Sequence, residues 1–312
     1  MSSIAKPFLK WAGGKGQLLD RFQKLYPQAL QENKIENYYE PFLGSGAVFF
    51  DMVQNYNVEH AYLYDTNPDL IITYQVIRKD VESLIERLYL LQTKYIPLDK
   101  SQRQQYFYEL RTAYNLQRNN VDPDEYSEQW LERAAQLIFL NRTCFNGLYR
   151  VNSRGEFNTP VGDYKNPKIC DKENLRAVHR ILKKTKIQHA DFTQVEVDLK
   201  KNSFVYFDPP YRPISKTASF KAYGKEDFSD KRQRELAELF ARLDKKGACV
   251  LLSNSDPKNN DPGDNFFDDL YRDYSVIRVP AKRIINSNPS KRGAVNEIIV
   301  TNYSMKRENI LV

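Results

Sequence analysis

The stretch FVYFDPPYRP, residues 204–213, places an acid, two prolines and a tyrosine directly after an apolar run. The apolar run predicts a strand, and the prolines must end it because proline has no N–H for a sheet ladder and fixes its own φ. The residue before a proline is also kept out of the helical region. Residues 208–211 should therefore form a stiff tip, where the Asp208 carboxylate and backbone carbonyls can accept hydrogen bonds beside the ring of Tyr211.

A second candidate site lies in YYEPFLGSGAVFFDM, residues 38–52. Gly44 and Gly46 follow a strand-like lead and precede a helical run, which predicts a tight turn and close backbone approach to a ligand at a helix N-terminus. Asp65 follows nineteen residues after Gly46, at the end of the next predicted strand, where an acid suits a ribose diol. A nicotinamide dinucleotide enzyme would need a third glycine at position 49, and Phe49 disfavours that alternative.

The N-terminal stretch FLKWAGGKG, residues 8–16, combines two lysines, a tryptophan and three glycines. It lacks the GxxxxGK[ST] spacing of a phosphate loop. The cation of Lys15 and the ring of Trp11 instead suit a ligand with a carboxylate and a flat or cationic part.

Basic residues are concentrated in one part of the chain. The 312 residues include 47 Lys and Arg against 40 Asp and Glu, a net charge of +7. Residues 142–186 hold eleven of the basic and four of the acidic residues, so this segment carries the whole excess. Such a concentration is typical of a protein that binds a polyanion.

The composition disfavours several other classes of protein. No run of about 18 apolar residues is present, so we expect no membrane span. The first residues contain no apolar signal-peptide core. Three cysteines without CxxC spacing predict a reducing, cytoplasmic location without a disulfide framework, and the scattered histidines predict no metal site.

Strand-like and helical patterns alternate along the chain in three blocks. Short apolar strands alternate with helices in residues 1–70 and 186–312, which predicts an α/β fold with a mainly parallel sheet. Residues 71–185 show mostly helical periodicity and hold the basic excess, so we predict an inserted, mainly helical domain there. One helix of the insertion should begin with Asp122 as its N-cap and Pro123 at its first position.

The motifs FLKWAGGK, EPFLGSGAVF and DPPY, in this order, resemble those of the Dam-type adenine-N6 DNA methyltransferases, the D12 class of the α group. The resemblance covers nearly the whole chain, and FNGLYRVNSRGEFNTPVG, residues 145–162, is similar to the DNA-reading hairpin of that family. It implies a Rossmann-like S-adenosylmethionine-dependent methyltransferase sheet, formed by residues 1–70 and 186–312. A DNA target-recognition domain with a β-hairpin would occupy residues 71–185.

The resemblance also implies the reaction. The enzyme would transfer a methyl group from S-adenosylmethionine to N6 of a flipped adenine in double-stranded DNA, within GATC. We expect it to act as a monomer. The sequence leaves open whether a cognate restriction endonuclease acts on the same site.

In this family the DPPY residues are catalytic, and the resemblance gives that role to residues 208–211. The Asp208 carboxylate and the Pro209 carbonyl would accept both N6 hydrogens, which favours a pyramidal nitrogen with its lone pair directed at the methyl group. Because Pro209 and Pro210 hold these acceptors in advance, little reorganisation would remain at the transition state. Tyr211 would stack on the base, which must leave the duplex because N6 is inaccessible within the stack.

Further roles are implied by the resemblance alone, position by position. The implied cofactor contacts are Trp11, Lys15, Phe42, Gly44, Gly46, Asp65, Asp191, Phe192 and Asp208. The implied DNA contacts are Lys10, Phe145, Asn146, Leu148, Arg150 and Pro160. Phe145 would wedge into the base stack, Asn146 would meet the orphaned partner base, and the other four would read base edges. Tyr149 and Val151, which flank Arg150, are not matched to the family's pattern.

Two other functions remain as alternatives to this one. An amino-methyltransferase that acts on RNA or protein is disfavoured by the hairpin and by a basic segment long enough to meet a duplex. A DNA-binding protein without enzymatic activity would not need the DPPY motif, the glycine turn or Asp65.

Overall fold

Seven strands form a sheet in the computed structural model, which describes residues 3–212, 228–282 and 294–304. In chain order they are β1 (Asn37–Glu40), β2 (His60–Asp65), β3 (Thr185–His189), β4 (Ser203–Phe207), β5 (Cys249–Ser255), β6 (Ser275–Lys282) and β7 (Ala294–Thr301). Their order across the sheet is β3-β2-β1-β4-β5-β7-β6. Strands β1 to β5 run parallel, whereas β7 is antiparallel to both β5 and β6. The predicted α/β fold with a mainly parallel sheet is confirmed.

Helices cover both faces of the sheet. They are α1 (Leu19–Leu25), α2 (Gln28–Gln31), α3 (Ala47–Asn55), α4 (Pro68–Lys79), α5 (Val81–Tyr95), α6 (Lys100–Leu116), α7 (Glu128–Thr143), α8 (Lys172–Leu182), α9 (Gln194–Asp198), α10 (Asp230–Lys245) and α11 (Phe266–Leu270). Within the described ranges, every helix is too short or too polar to span a lipid bilayer.

The central strands are apolar on both faces because each face is covered. All five residues of β4 are buried, and they alternate between two cores, as side chains in a strand must. Phe204 and Tyr206 join the core beneath α1, α3 and α4, while Val205 and Phe207 join the core beneath α9, α10 and α11. This packing fixes the register of β4 and therefore the position of the residues that follow it.

The chain between β2 and β3 contains α4 to α8 and a hairpin, residues 144–161. Antiparallel bridges join Cys144 to Val161 and Val151 to Phe157 in this hairpin. Helix α4 packs against α7, α8 and β3, so one buried cluster continues from the sheet into the inserted helices. The division into residues 1–70, 71–185 and 186–312 remains a prediction.

The predicted start of α7 is wrong. The helix begins at Glu128, and Ser127 rather than Asp122 is its N-cap. Asp122 instead accepts a hydrogen bond from the backbone of Asp124 in a turn (2.8 Å) and, through its carbonyl, from the indole N–H of Trp130 (2.8 Å). Because Trp130 is buried, its N–H needs a partner, and the chain turns back to supply one.

Candidate active site

A cavity of about 670 Å³ opens at the carboxyl ends of β1, β2 and β4. Strand order reverses between β1 and β4, and ligands of open α/β sheets bind at such switch points. The sequence-predicted residues that line this cavity are Trp11, Lys15, Phe42, Gly44, Asp65, Leu148, Asp191, Phe192, Asp208, Pro209, Pro210 and Tyr211. Motifs separated by almost 200 residues in the chain therefore meet at one site.

Asp208 begins the DPPY tip (Asp208–Tyr211), which follows β4. Its Oδ1 accepts hydrogen bonds from the Lys15 ammonium (2.7 Å) and the Ser253 hydroxyl (3.1 Å). Burial raises the pKa of Asp208 above its usual range, while Lys15 and Ser253 oppose that rise. The Lys15 side chain is only 3% exposed, and its Nζ also lies 4.6 Å from the centre of the Tyr211 ring. A buried cation thus orients both the acid and the aromatic ring of the tip.

The glycine turn precedes α3 and lies against Trp11. Gly46 is the N-cap of α3 with φ +67°, a left-handed conformation, and a Cβ there would lie 2.7 Å from the Tyr74 hydroxyl. A Cβ on Gly44 would lie 3.0 Å from Cδ1 of Trp11. The two glycines are therefore required for this turn to pack between Trp11 and Tyr74.

Asp65 ends β2 and holds the glycine turn. Its carboxylate accepts hydrogen bonds from the backbone N–H of Gly44 (3.0 Å) and of Asn67 (2.9 Å). Burial raises the pKa of Asp65, and these two N–H groups partly offset the rise. A carboxylate offers about four acceptor positions, so Asp65 retains capacity for hydroxyl groups of a ligand.

Aromatic rings and an ion pair form another wall of the cavity. Phe42 stacks on Phe192 with ring centres 5.5 Å apart, and Phe228 packs edge-on against both rings. The Arg232 guanidinium lies 4.5 Å from the centre of the Phe192 ring and forms an ion pair with Asp191. Sequence reasoning missed Phe228 and Arg232, because the helix that carries Arg232 has the charge pattern of an ordinary solvated face.

Glu40 is a cavity residue that sequence reasoning also missed. It is 3% exposed and accepts a hydrogen bond from the Tyr38 hydroxyl (2.6 Å). Burial, chiefly, raises the pKa of Glu40 to about 8, and the nearby charges of Asp208 and Asp65 add to the rise. A signal was present in the sequence, since Glu40 and Asp208 each follow a strand-like apolar run and precede a proline.

Lys10 and the hairpin are brought together by Asn141, a buried residue of α7. The Asn141 side chain accepts a hydrogen bond from the Lys10 N–H (2.8 Å) and donates to the carbonyls of Lys10 (2.8 Å) and Gly147 (2.9 Å). Lys10, which comes from the N-terminal motif, therefore lies beside the hairpin as one of its neighbours.

Predicted DNA contacts that do not line the cavity lie in and beside the hairpin. Phe145 is 55% exposed, and Asn146 is also exposed with φ +56°. The Phe145 N–H donates to the carbonyl of the exposed Pro160 (2.8 Å) and closes the base of the hairpin. Arg150 donates from Nε to the Asn158 side chain (2.7 Å) across the hairpin, which fixes the direction of its guanidinium.

Helix α6 braces the hairpin along its length. The Asn115 side chain donates to the Phe157 carbonyl (3.1 Å) and accepts from the Phe157 N–H (2.8 Å), as a neighbouring strand would. In the 3-10 turn directly after α6, Arg118 donates to the carbonyl of Arg154 at the hairpin tip. Sequence reasoning missed this support because the partners are about 40 residues apart and no local pattern relates them.

Tyr149, which was unmatched in the sequence, joins the hairpin to the cavity. Its ring stacks on Trp11 with centres 5.0 Å apart and an interplanar angle of 20°. Its hydroxyl donates to Asp69 Oδ2 (3.2 Å), and the same carboxylate is bound by Tyr114 and by the buried Arg133. The hairpin therefore contributes a wall of the cavity instead of lying apart from it.

The strand order, with an antiparallel β7 between β5 and β6, and the cavity at the switch point match the Rossmann-like fold of methyltransferases. Among the described residues, no three His, Cys, Asp or Glu side chains are grouped so that they could hold a metal ion.

Comparison with known proteins identifies the family. The family described as D12 class N6 adenine-specific DNA methyltransferase matches residues 11–285. The type II methyltransferase M.MjaIII of Methanocaldococcus jannaschii is 45% identical, over 96% of this chain and 99% of its own length. The type II methyltransferase M1.LlaDCHI of Lactococcus lactis is 39% identical over 96% and 95% of the two chains. The DNA adenine methylase of Haemophilus influenzae is 34% identical over 94% and 92%. The chain therefore belongs to the D12 class of N6 adenine-specific DNA methyltransferases, as its motifs predicted.

Proposed function

We propose that the protein transfers the methyl group of S-adenosylmethionine to N6 of an adenine flipped out of duplex DNA, within GATC. The observation that carries this proposal is the shared cavity. The DPPY tip, the glycine turn and Asp65 line the same space, so a nucleoside cofactor and an extruded base could meet there.

The chemistry of the lining residues fits the cofactor. The free acceptor capacity of Asp65 suits the two ribose hydroxyls, and the stacked Phe42 and Phe192 with Asp191 suit an adenine ring. The buried Glu40 suits the methionine ammonium, and the glycine turn lets the backbone approach closely. When bound, the cofactor supplies a methyl group that its sulfonium makes electrophilic. The proposed cofactor contacts also include Trp11, Gly44 and Gly46. Lys15, which binds Asp208, is a further proposed contact.

The acceptors for the adenine amino group come from the DPPY tip. Lys15 and Ser253 bind Oδ1 of Asp208. Oδ2 of Asp208 would then accept one N6 hydrogen, and the Pro209 carbonyl would accept the other. Acceptance of both hydrogens concentrates the nitrogen lone pair on the face opposite the hydrogens, and the amino group needs no prior deprotonation. Because Lys15 and Ser253 fix the carboxylate before the base arrives, the acceptors need little reorganisation during the reaction. After the transfer the extra N6 proton would pass to the Asp208 carboxylate, which already accepts its hydrogen bond, and from there to water.

Tyr211 and the hairpin support base flipping. Extrusion of a base costs a few kcal/mol, which stacking on Tyr211 and the hydrogen bonds to the tip would offset. The exposed ring of Phe145 suits insertion into the vacated stack, and Asn146 beside it suits the orphaned thymine. Lys10, Leu148, Arg150 and Pro160 are the proposed readers of base edges.

GATC as the recognition sequence rests on the resemblance of the hairpin to the Dam-type family. Several relatives carry the name DNA adenine methylase, which supports adenine in DNA as the shared substrate. Two others are named type II methyltransferases, which supports a cognate restriction endonuclease that acts on the same site. We propose a monomer as the active form.

The experiment that tests this function uses a synthetic duplex with one GATC and S-adenosylmethionine labelled in its methyl group. We expect label in N6-methyladenine after digestion to nucleosides. We expect no label when unsubstituted purine, which lacks the 6-amino group, replaces the adenine of GATC on both strands. With 2-aminopurine in place of the target adenine, fluorescence should rise on binding as the base leaves the stack. Label in cytosine, or equal label in the purine duplex, would contradict the proposal.

A further inference from the structure

The DPPY tip extends past the point where the backbone ladder of the sheet can hold it. The pairing of β4 with β5 ends with Phe207 opposite Leu252, while β5 continues to Ser255. Pro209 and Pro210 have no N–H to donate to that continuation. Proline rings fix φ, and Pro210 also restricts ψ of Pro209 before it, but ψ of Pro210 is not set by the prolines, so the direction of its carbonyl needs another restraint.

Side chains of β5 restrain both ends of the tip. Ser253 donates its hydroxyl hydrogen toward the Asp208 carboxylate (3.1 Å) at the first residue of the tip. Just beyond the last residue, the Arg212 N–H donates to the Asn254 side chain (3.4 Å), and the Ser255 hydroxyl donates to the Arg212 carbonyl (3.4 Å). The side chains of Ser253, Asn254 and Ser255 in β5 thus make the hydrogen bonds to this segment that the backbone cannot make, because the prolines have no N–H.

The middle of the tip is held by Gln233 of α10. Its Nε2 donates to the Pro210 carbonyl (3.3 Å), and its Oε1 accepts from Nδ2 of Asn254 (3.3 Å). Gln233 and Asn254 are both 0% exposed, and a buried amide is retained at little cost only where its hydrogen bonds are made. Helix α10 is tied to the same region a second time, because its first residue, Asp230, binds the Arg212 guanidinium (2.7 Å).

We propose that Gln233, oriented by Asn254, is a positioning residue for methyl transfer. The Pro210 carbonyl belongs to the planar peptide that leads into Tyr211, so a donor fixed on that oxygen sets ψ of Pro210 and the direction of the Tyr211 ring. It also restrains the Pro209 carbonyl one peptide earlier. This inference rests on the proposed function, in which Pro209 and Tyr211 contact the base.

The test replaces the amide by an apolar side chain of similar length, in Gln233→Met. Gln136→Met is the matched control, since Gln136 is also a buried glutamine on a 16-residue helix but bonds only along α7, to Glu132. We expect the single-turnover rate on a GATC duplex to fall roughly 10- to 100-fold in Gln233→Met, because small misplacements of reacting groups cost that much. KM for S-adenosylmethionine and for DNA should stay within twofold of wild type, and Gln136→Met should keep the wild-type rate.

Three results would overturn the inference: a wild-type rate in Gln233→Met, a higher KM with unchanged kcat, or an equal loss of rate in Gln136→Met. If Gln233→Met does not fold, Gln233→Glu decides by the same criteria at a pH high enough to ionise the buried carboxyl, since a carboxylate accepts from Asn254 but has no hydrogen for the Pro210 carbonyl. Asp208→Ala, measured in parallel, separates the two proposals. An inactive Asp208→Ala beside a normal Gln233→Met refutes the positioning role alone, whereas a wild-type rate in Asp208→Ala refutes the proposed function and this inference with it.

Discussion

At the scale of single side chains, two acidic residues of the cavity lie in different surroundings. Glu40 is the last residue of β1, Asp208 directly follows β4, each precedes a proline, and the two strands are neighbours in the sheet. Their surroundings differ, since Asp208 is paired with the Lys15 ammonium, whereas the hydrogen bonds to Glu40 come from the neutral Tyr38 hydroxyl and the Phe49 N–H. Lys15 therefore favours the ionised form of Asp208, whereas burial favours the protonated form of Glu40.

Asp208→Ala should lower the single-turnover methylation rate by at least about 100-fold, because an acceptor needed most in the transition state is lost. Asp208→Asn should retain more activity, since its amide oxygen can still accept one N6 hydrogen. Circular dichroism of both variants provides the control for folding. A folded Asp208→Ala protein with wild-type turnover would exclude the tip from the reaction.

Glu40 should make stability depend on pH. Its folded pKa of about 8 exceeds the ordinary value of 4.5, so the folded state binds more protons than the unfolded state between these values. This contribution is full below about pH 4.5 and is lost as pH rises through about 8. From pH 6 to 8 the free energy of unfolding should fall by about 2 kcal/mol more in wild type than in Glu40→Gln. Denaturant titrations of the two proteins at both pH values measure this change. An equal fall in the free energy of unfolding in both proteins would show that Glu40 is already ionised at pH 6.

At the scale of elements, the local motifs were predicted well because their physical causes are local. Prolines end β4, glycines form the turn before α3, and Asp65 ends β2, so each candidate side chain could be assigned to a strand end from its neighbours in the sequence. The start of α7 was predicted wrongly because the burial of Trp130, a tertiary effect, outweighed the N-cap pattern at Asp122. The bracing of the hairpin by α6 has no local signature at all.

Asn115 should influence sequence discrimination more than it influences chemistry. Asn115→Leu removes both hydrogen bonds to the Phe157 backbone and leaves the far strand of the hairpin free to shift. We expect the rate ratio between GATC and singly substituted sites to fall roughly tenfold, in line with about 1–3 kcal/mol for a base contact. Gln105→Leu on the same helix is the control, because Gln105 bonds only to Glu109 within α6. If both variants discriminate like wild type, the hairpin does not depend on this support.

At the scale of the whole molecule, the inserted helices and the sheet share one buried cluster. The contacts of Tyr149 with Trp11 and Asp69 connect the hairpin to the wall of the cavity. Sequence reasoning separated the chain into parts by periodicity and charge, and it had no means of seeing that these parts would pack together. Tyr149, which sequence reasoning left without a role, makes this connection.

Tyr149→Phe should weaken the link between the hairpin and the cavity. The variant keeps the ring stack on Trp11 but removes the hydrogen bond to Asp69, a change of about 1 kcal/mol for a buried bond. We expect the affinity for S-adenosylmethionine, measured with a GATC duplex present, to fall about fivefold, with a smaller change when DNA is absent. Tyr89→Phe, on an exposed tyrosine of α5, is the control. An equal loss with and without DNA would show a local effect on the cavity only.

The central claim concerns which atom of which base receives the methyl group. The most direct measurement is methylation of an unmethylated plasmid by the purified protein and S-adenosylmethionine, followed by base-resolved mapping of every modified position. We predict N6-methyladenine at the adenine of GATC on both strands and at no other sequence until these sites are full. Methylation of adenine in another sequence would contradict GATC recognition but not methyl transfer to adenine N6. Methylation of cytosine, or of no base, would contradict both.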